Sequence, residues 1–378
     1  MAKSILLKFL IVILITQFKV ATLPKALEEK IISFLHAGEA EKNKYPIILH
    51  IFEKNDVIKD YEFVRMEPIE NDIFTYILKK GMIEYYFQII FESKDNNNLC
   101  DIEEINFHIN SQIKVSYINN VIAYDKKKKQ KLYNNEYIYC TSLSEIANND
   151  ISNTEIFSTG SNSSKIINSA KLFILIGKVI ISIAELNFKA NILHGDIDID
   201  AIKIKHKEGS ITYCEDYEPI ITNFHKMVQN PRKTKLEQQE VKYEKGYRTP
   251  QMEKCVIKLN DDQVLYNYQY SDNFYEDVYA LGVTIDKIIE AQSSKINIKE
   301  DSIVGLQEIS KKMIEGKTST EKRLKNNNIE QYNMKEILDM YYIILIKLKT
   351  KDVLNMYKIF EDRVKTAFSS LKTINRII

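Results

Sequence analysis

The stretch "NILHGDIDIDAIKIK" (191–205) decides how the rest of the chain reads. Before it runs "SAKLFILIGKVIISIAELNF" (169–188), long and largely apolar, which predicts a buried helix. After it come "AIKIKHKE" and "SITYCEDYEPIITNF", rich in Ile, Tyr and Phe, which predict a strand pair. Between helix and strands stand His194, Gly195 and Asp196, an imidazole and a carboxylate in a short loop, where side chains for proton transfer are commonly held. Five residues after Asp196 stands Ala201, which offers no polar atom.

Working outward, the 378 residues allow one large domain or two moderate ones, and 44% hydrophobic content suffices for a substantial core. With 53 basic and 52 acidic side chains the net charge is +1, which argues against nucleic acid as a partner of the whole chain. The run "KKKKQK" (126–131) reads as a solvated loop. The N-terminus, "MAKSILLKFLIVILITQFKVATLP", has a basic residue at Lys3 and an apolar stretch from Ile5 to Ile15 broken by Lys8. That stretch is shorter than the roughly 20 residues of a spanning helix. It predicts a secretory signal peptide over 1–22, with a buried or uncleaved anchor helix as the other reading. The expected destination is the secretory pathway, either secreted or in a secretory organelle. No later segment is expected to span a membrane. Cys100, Cys140, Cys214 and Cys255 lack zinc-ligand spacing, and in a secreted chain would form one or two disulfides. Asn162-Ser163-Ser164 is a glycosylation sequon.

Residues 23–42 have the pattern of an amphipathic helix. Strands are predicted over 45–52 ("YPIILHIF"), 61–66, 73–80, 82–92, 119–125 and 135–143, with a helix over 99–113. Residues 148–168 read as a polar loop and boundary. Past the strand pair the chain reads as mostly helical, over 275–291, 301–315, 334–349 and 351–372. The fold class is therefore α+β, a strand-rich part preceding a helical one.

Four further motifs fall in a telling order. "ITNFHK" (221–226) follows the opening stretch, then "GYRTPQM" (246–252), "EDVYALGV" (276–283) and "KKMIEGKTSTEKRL" (311–324). In order and spacing these resemble the eukaryotic protein kinases, over residues 61 to 340. The resemblance implies a two-lobed fold, with a β-rich N-lobe over 61–145 and a helical C-lobe over 146–378, preceded by an extension over 23–60. It implies that Asp196 stands at the position that orients the acceptor hydroxyl, that His194 and Phe224 pack the site, and that Asp277 bonds to the catalytic-loop backbone. Asn223-Phe224-His225 falls where the family has Asp-Phe-Gly. Pro250 is kept, but Gln251 replaces the glutamate that Arg323 would pair with, and Gly195 replaces an arginine that reads phosphate. In the small lobe Gln88 falls at the ATP lysine and Tyr86 at a small alanine. "PIENDIF" (68–74) falls at the glycine-rich loop. Glu103, with Glu104 as the other candidate, falls at the helix glutamate, and Ala201 at the metal-binding asparagine.

Phosphoryl transfer is positioning plus charge stabilisation, and hard cations want charged oxygen ligands. With the glycines, the lysine and both metal ligands replaced, the resemblance implies a degenerate nucleotide site. The expected protein is a secreted pseudokinase without cofactor, acting on a protein partner that the sequence does not identify. Asp198 and Asp200 read as solvated loop carboxylates. The competing reading is an active, atypical Ser/Thr protein kinase or small-molecule phosphotransferase, since "HGD" also occurs in the latter; it would use Asp196 with ATP and magnesium. A third reading is a secreted α+β domain of unrelated fold.

Overall fold

The computed structural model describes residues 48, 51–52, 55–68, 73–92, 99–132, 135–146, 149–151, 157, 161–206, 217–229, 231, 235–241, 247–254, 256–258, 263–269, 274–317, 331–348, 360–362, 364–366 and 369. The expected signal peptide, the helix over 23–42, Cys214, Cys255 and Arg323 lie outside them, as does most of "PIENDIF". The chain is mixed α+β and divides into two compact units, one of residues 1–104 and 121–146, the other of residues 105–120 and 147–378.

The first unit is an antiparallel five-stranded sheet of β1 (Glu62–Met66), β2 (Ile73–Lys80), β3 (Ile83–Phe91), β4 (Val121–Leu132) and β5 (Asn135–Glu145), in the order β1-β2-β3-β5-β4. Gly81, with φ +64°, supplies the left-handed residue of the two-residue turn where Lys80 pairs with Ile83. Alternation sends Tyr85, Phe87, Ile89 and Phe91 to one face of β3, where they pack with Phe74, Tyr76 and Leu78 of β2. Ile48, Ile51 and Ile58 are buried in the same cluster.

Two expectations fail in this unit. The stretch expected as a strand over 45–52 is helical at its described residues, Ile48, Ile51 and Phe52. Spacings of three and four place these residues on one helix face. Phe52 meets Tyr76 and Phe87 edge-on at 4.7 and 5.5 Å, so burial against the sheet outweighs β-propensity. The lysine run is no loop: residues 126–131 continue β4. Lys126 bonds to Glu92 (3.0 Å) and Asp101 (2.7 Å), and these carboxylates hold its pKa above the usual lysine range. Helix α1 (Leu99–His108) is joined to β5 by a Cys100–Cys140 disulfide, and Tyr124 Oη donates to the Cys100 carbonyl (2.9 Å).

In the second unit the central element is α2 (Asn162–Lys189). It starts earlier than its apolar run, because the Ser161 side chain accepts from Ser164 N–H and caps it. The polar boundary is thus not all loop. Asn149–Asp150 forms the short strand β6, and Ile151 and Phe157 are buried. By length and composition α2 is long and apolar enough to cross a membrane, contrary to expectation. From Asn168 to Asn187 all its residues but Lys171 are buried inside the protein. Gly177 gives Tyr341 room, since a Cβ there would lie 2.4 Å from the ring.

After α2 come β7 (Ile192–Leu193), β8 (Ile202–His206) and β9 (Tyr217–Ile221), the last two antiparallel as expected, with β6 on the far side of β8. β10 (Val228–Gln229) pairs with β7. An unexpected three-stranded sheet follows, of β11 (Lys235–Val241), β12 (Val256–Lys258) and β13 (Gln263–Gln269), with the short α3 (Pro250–Lys254) between β11 and β12. Helices α4 (Tyr275–Ala291), α5 (Asp301–Glu315) and α6 (Met334–Lys347) fall where expected, and residues 360–362 and 364–366 are helical. α6 opens with a capping box between Asn333 and Glu336.

The segment 105–120 belongs to this second unit although both its flanks lie in the first. Ile118 forms a parallel bridge with Ile221, Asn119 N–H donates to Ile221 O (2.8 Å), and Ile221 N–H donates to Tyr117 O (2.8 Å). Ser116 N–H donates to the Glu185 carboxylate on α2 (2.8 Å).

Candidate functional site

The loop between β7 and β8 is held from below by Asp277, in the first turn of α4, where a carboxylate suits the helix dipole. Asp277 is 1% exposed. Its Oδ2 accepts from His194 N–H (2.8 Å) and Asn187 Nδ2 (2.8 Å), and its Oδ1 from Gly195 N–H (3.0 Å). Burial pushes its carboxyl up to about 6, against the pull of those three donors.

His194 is buried, and its hydrogen bonds fix its tautomer. Asp196 N–H donates to Nδ1 (3.3 Å), so Nε2 carries the proton and donates to Thr222 O (2.8 Å). The ring lies 4.8 Å from that of Phe224, which is also buried. Both residues therefore join this loop to the segment after β9. Ala201 is buried and belongs to the same join: its carbonyl accepts from Thr222 N–H (2.9 Å) and Thr222 Oγ1 (3.2 Å). Asn223 sits beside it in left-handed backbone, φ 62° and ψ 47°, which Asn tolerates better than most residues.

Asp196 is half-buried and its Oδ1 is ion-paired with Lys226 Nζ at 2.9 Å. Sequence reasoning missed Lys226: it lies 30 residues away, and although it closes the "ITNFHK" motif the resemblance gave it no role. Gly195 has φ +77°, and a Cβ there would stand 2.6 Å from Lys226 O, so only glycine lets the two segments approach this closely. Asp198 is not a solvated carboxylate. It is half-buried, its Oδ1 accepts from Ala201 N–H (2.7 Å) to tie the turn, and burial raises its pKa. Asp200 is exposed, as expected.

Arg248 reaches the loop from "GYRTPQM", its Nη1 donating to Gly195 O (3.3 Å). The buried Thr249 accepts from Met252 N–H (3.1 Å) and caps α3 just before Pro250, whose ring suits a first helical position. Gln251 is exposed. Asp196, Asp198, Lys226, Arg248 and Glu276 line a cleft of about 40 Å³, room enough for water to enter beside them.

In the first unit Gln88 stands in β3 opposite Thr75 and donates to its hydroxyl (3.3 Å). Tyr86, two residues along the strand, is half-buried on the same face. On α1 Glu103 is half-buried and Glu104 exposed.

Chemically, an aspartate already paired with an ammonium accepts a hydroxyl proton less readily than a free one. Ala201 and Asn223 together present one neutral amide oxygen, where magnesium takes charged carboxylates. Among the described residues no three His, Cys, Asp or Glu side chains cluster so as to hold a metal ion. No family model matches this chain, and no curated protein matches it.

Proposed function

We propose that the chain is a degenerate, two-lobed protein-kinase-like protein of the secretory pathway that acts by binding a protein partner rather than by transferring phosphate. The order of elements supports the fold reading: a five-stranded antiparallel sheet, a long buried helix, a His-Gly-Asp loop, then helices, the first holding the loop through its aspartate. The observation that carries the functional reading is the Asp196–Lys226 ion pair, which occupies the one catalytic-type carboxylate retained in the loop. The donor set at Ala201 and Asn223 does not suit a magnesium nucleotide, and Gln88 brings no charge. The Cys100–Cys140 disulfide supports an oxidising compartment.

The test is thermal melting of the purified chain with and without ATP and magnesium. A ligand that binds the native state raises the melting temperature according to RT ln(1 + [L]/Kd). No shift is expected at millimolar nucleotide. A magnesium-dependent rise that disappears in Asn223→Ala would overturn the reading. The second reading, an active phosphotransferase, draws on the intact hold of Asp277 on His194 and Gly195. It requires ATP turnover that rises in Lys226→Ala, where Asp196 is released.

A further inference from the structure

The tripeptide Asn162-Ser163-Ser164 plays no part in the site around Asp196. Among all the asparagines of the chain, Asn162 alone has a serine or threonine two residues on. It is the first residue of α2, and it is exposed together with Ser161 and Ser163. This is the open end of the helix, where even the backbone N–H has no intrahelical partner.

The helix makes no use of the Asn162 amide. Ser161 caps α2 with its own side-chain oxygen, which accepts from Ser164 N–H at 3.5 Å. Among the described residues the Asn162 side chain forms no hydrogen bond. Asparagine is also a weaker helix former than alanine or glutamate, so the stability of α2 does not call for it here. The buried asparagines of the same helix differ. Asn168 Nδ2 donates to Lys295 O (2.7 Å), and Asn187 Nδ2 donates to Asp277 (2.8 Å). Their amides hold the fold together, while that of Asn162 stands in solvent.

We propose that Asn162 carries an N-linked oligosaccharide. The step is a group transfer from an oligosaccharide held on a lipid diphosphate. A bond forms between Asn162 Nδ2 and the anomeric carbon of the first sugar. The bond from that carbon to the diphosphate oxygen breaks, the lipid diphosphate leaves, and the amide gives up one proton. Nothing is oxidised or reduced. The Ser164 hydroxyl, two residues on, is the other half of what the transferase recognises. In the folded chain Ser164 is drawn into the cap, so the transfer precedes the closing of that first turn. Afterwards the sugar lies on the surface, where a bulky polar group displaces no packed side chain. It also withdraws this end of α2 from any protein partner. The proposal rests on the secretory reading above, because the transferase and its donor belong to that compartment.

The experiment is expression of the full chain, with its own N-terminus, in cultured insect cells, followed by digestion with a peptide N-glycosidase. Wild type gives one downward mobility step, and its peptide masses show Asn162 converted to aspartate. The step is absent in Asn162→Gln and in Ser164→Ala, and is kept in Ser164→Thr, which retains the hydroxyl. The wild-type peptide masses decide the question even where a variant fails to fold. The Cys100–Cys140 bond reports independently whether the chain entered the oxidising compartment. That bond formed and Asn162 unmodified would overturn the proposal and leave the secretory reading standing. Cys100 and Cys140 recovered as free thiols, with no sugar, would overturn both. A mobility step that persists in Asn162→Gln would place the sugar elsewhere and overturn the proposal too.

Discussion

At the scale of single residues, Asp277 organises the candidate site and does so at a cost. Its carboxyl is raised to about 6 by burial, above the usual carboxylate value of 3.8. Between those two pH values the unfolded chain loses the proton while the folded chain keeps it. Stability from this group is therefore whole below about pH 4 and falls as pH rises to about 6, by on the order of 3 kcal/mol. Asp277→Asn removes the titration but also one of the acceptor oxygens that hold the loop. Urea denaturation at pH 4 and pH 7 should show wild type losing more stability across the interval than the Asn variant. Equal losses would mean that the carboxylate ionises normally. Lys226 works at the same scale, and it shows why part of the site was illegible. Asp196, His194, Phe224 and Asp277 stand in motifs and were found. The partner that Asp196 takes is fixed only when the turn after β9 closes over Gly195.

At the scale of elements, the Cys100–Cys140 disulfide fixes α1 to β5 across 40 residues of chain. By loop entropy alone it contributes about 4 kcal/mol, and native bridges of this kind fall at roughly 2–5 kcal/mol. Cys100→Ser/Cys140→Ser should lower the unfolding free energy extrapolated from urea denaturation by that amount, and a non-reducing peptide digest of wild type should recover the linked pair. Recovery of two free thiols from secreted material would remove the support for an oxidising destination. Elements with a clear period were legible: β1 to β3, the apolar helix α2, and α4 with its "EDVYALGV" opening. Those whose pattern was hidden were not. Lysines conceal the alternation of β4, and "KLEQQEV" has too few apolar residues to announce β11. β-branched residues made the stretch holding the helical Ile48, Ile51 and Phe52 look like a strand. The first turn of α2 is polar because it lies at a capped end.

At the scale of the whole molecule, the two units are not consecutive stretches of chain. Residues 105–120 leave the first unit, join the second, and return. A fragment of residues 147–378 lacks the donors that Ser116 and Asn119 bring to Glu185 and Ile221, and the Tyr117 carbonyl that receives Ile221 N–H. Stranding these groups costs about 1–3 kcal/mol each where they are buried. We expect a fragment of residues 105–378 to melt cooperatively by circular dichroism and one of residues 147–378 not to. A cooperative melt of the shorter fragment at the same temperature would show that the inserted segment is dispensable. No single backbone cut at the 146–147 boundary separates the units, which the position of the sequence boundary alone did not reveal.

The same insertion has a consequence for synthesis. Ile118 emerges from the ribosome about a hundred residues ahead of Ile221, its bridge partner. At roughly 5–20 residues per second that is a wait on the order of five to twenty seconds. During that interval the first unit can complete its sheet, because β5 ends at Glu145, while the segment looped out of it holds the apolar Val115 and Ile118, with β9, the strand that Ile118 bridges, still unmade. A nascent chain of this protein thus carries a finished sheet and an apolar loop awaiting its neighbour, and it is in that window that a chaperone would have something to hold.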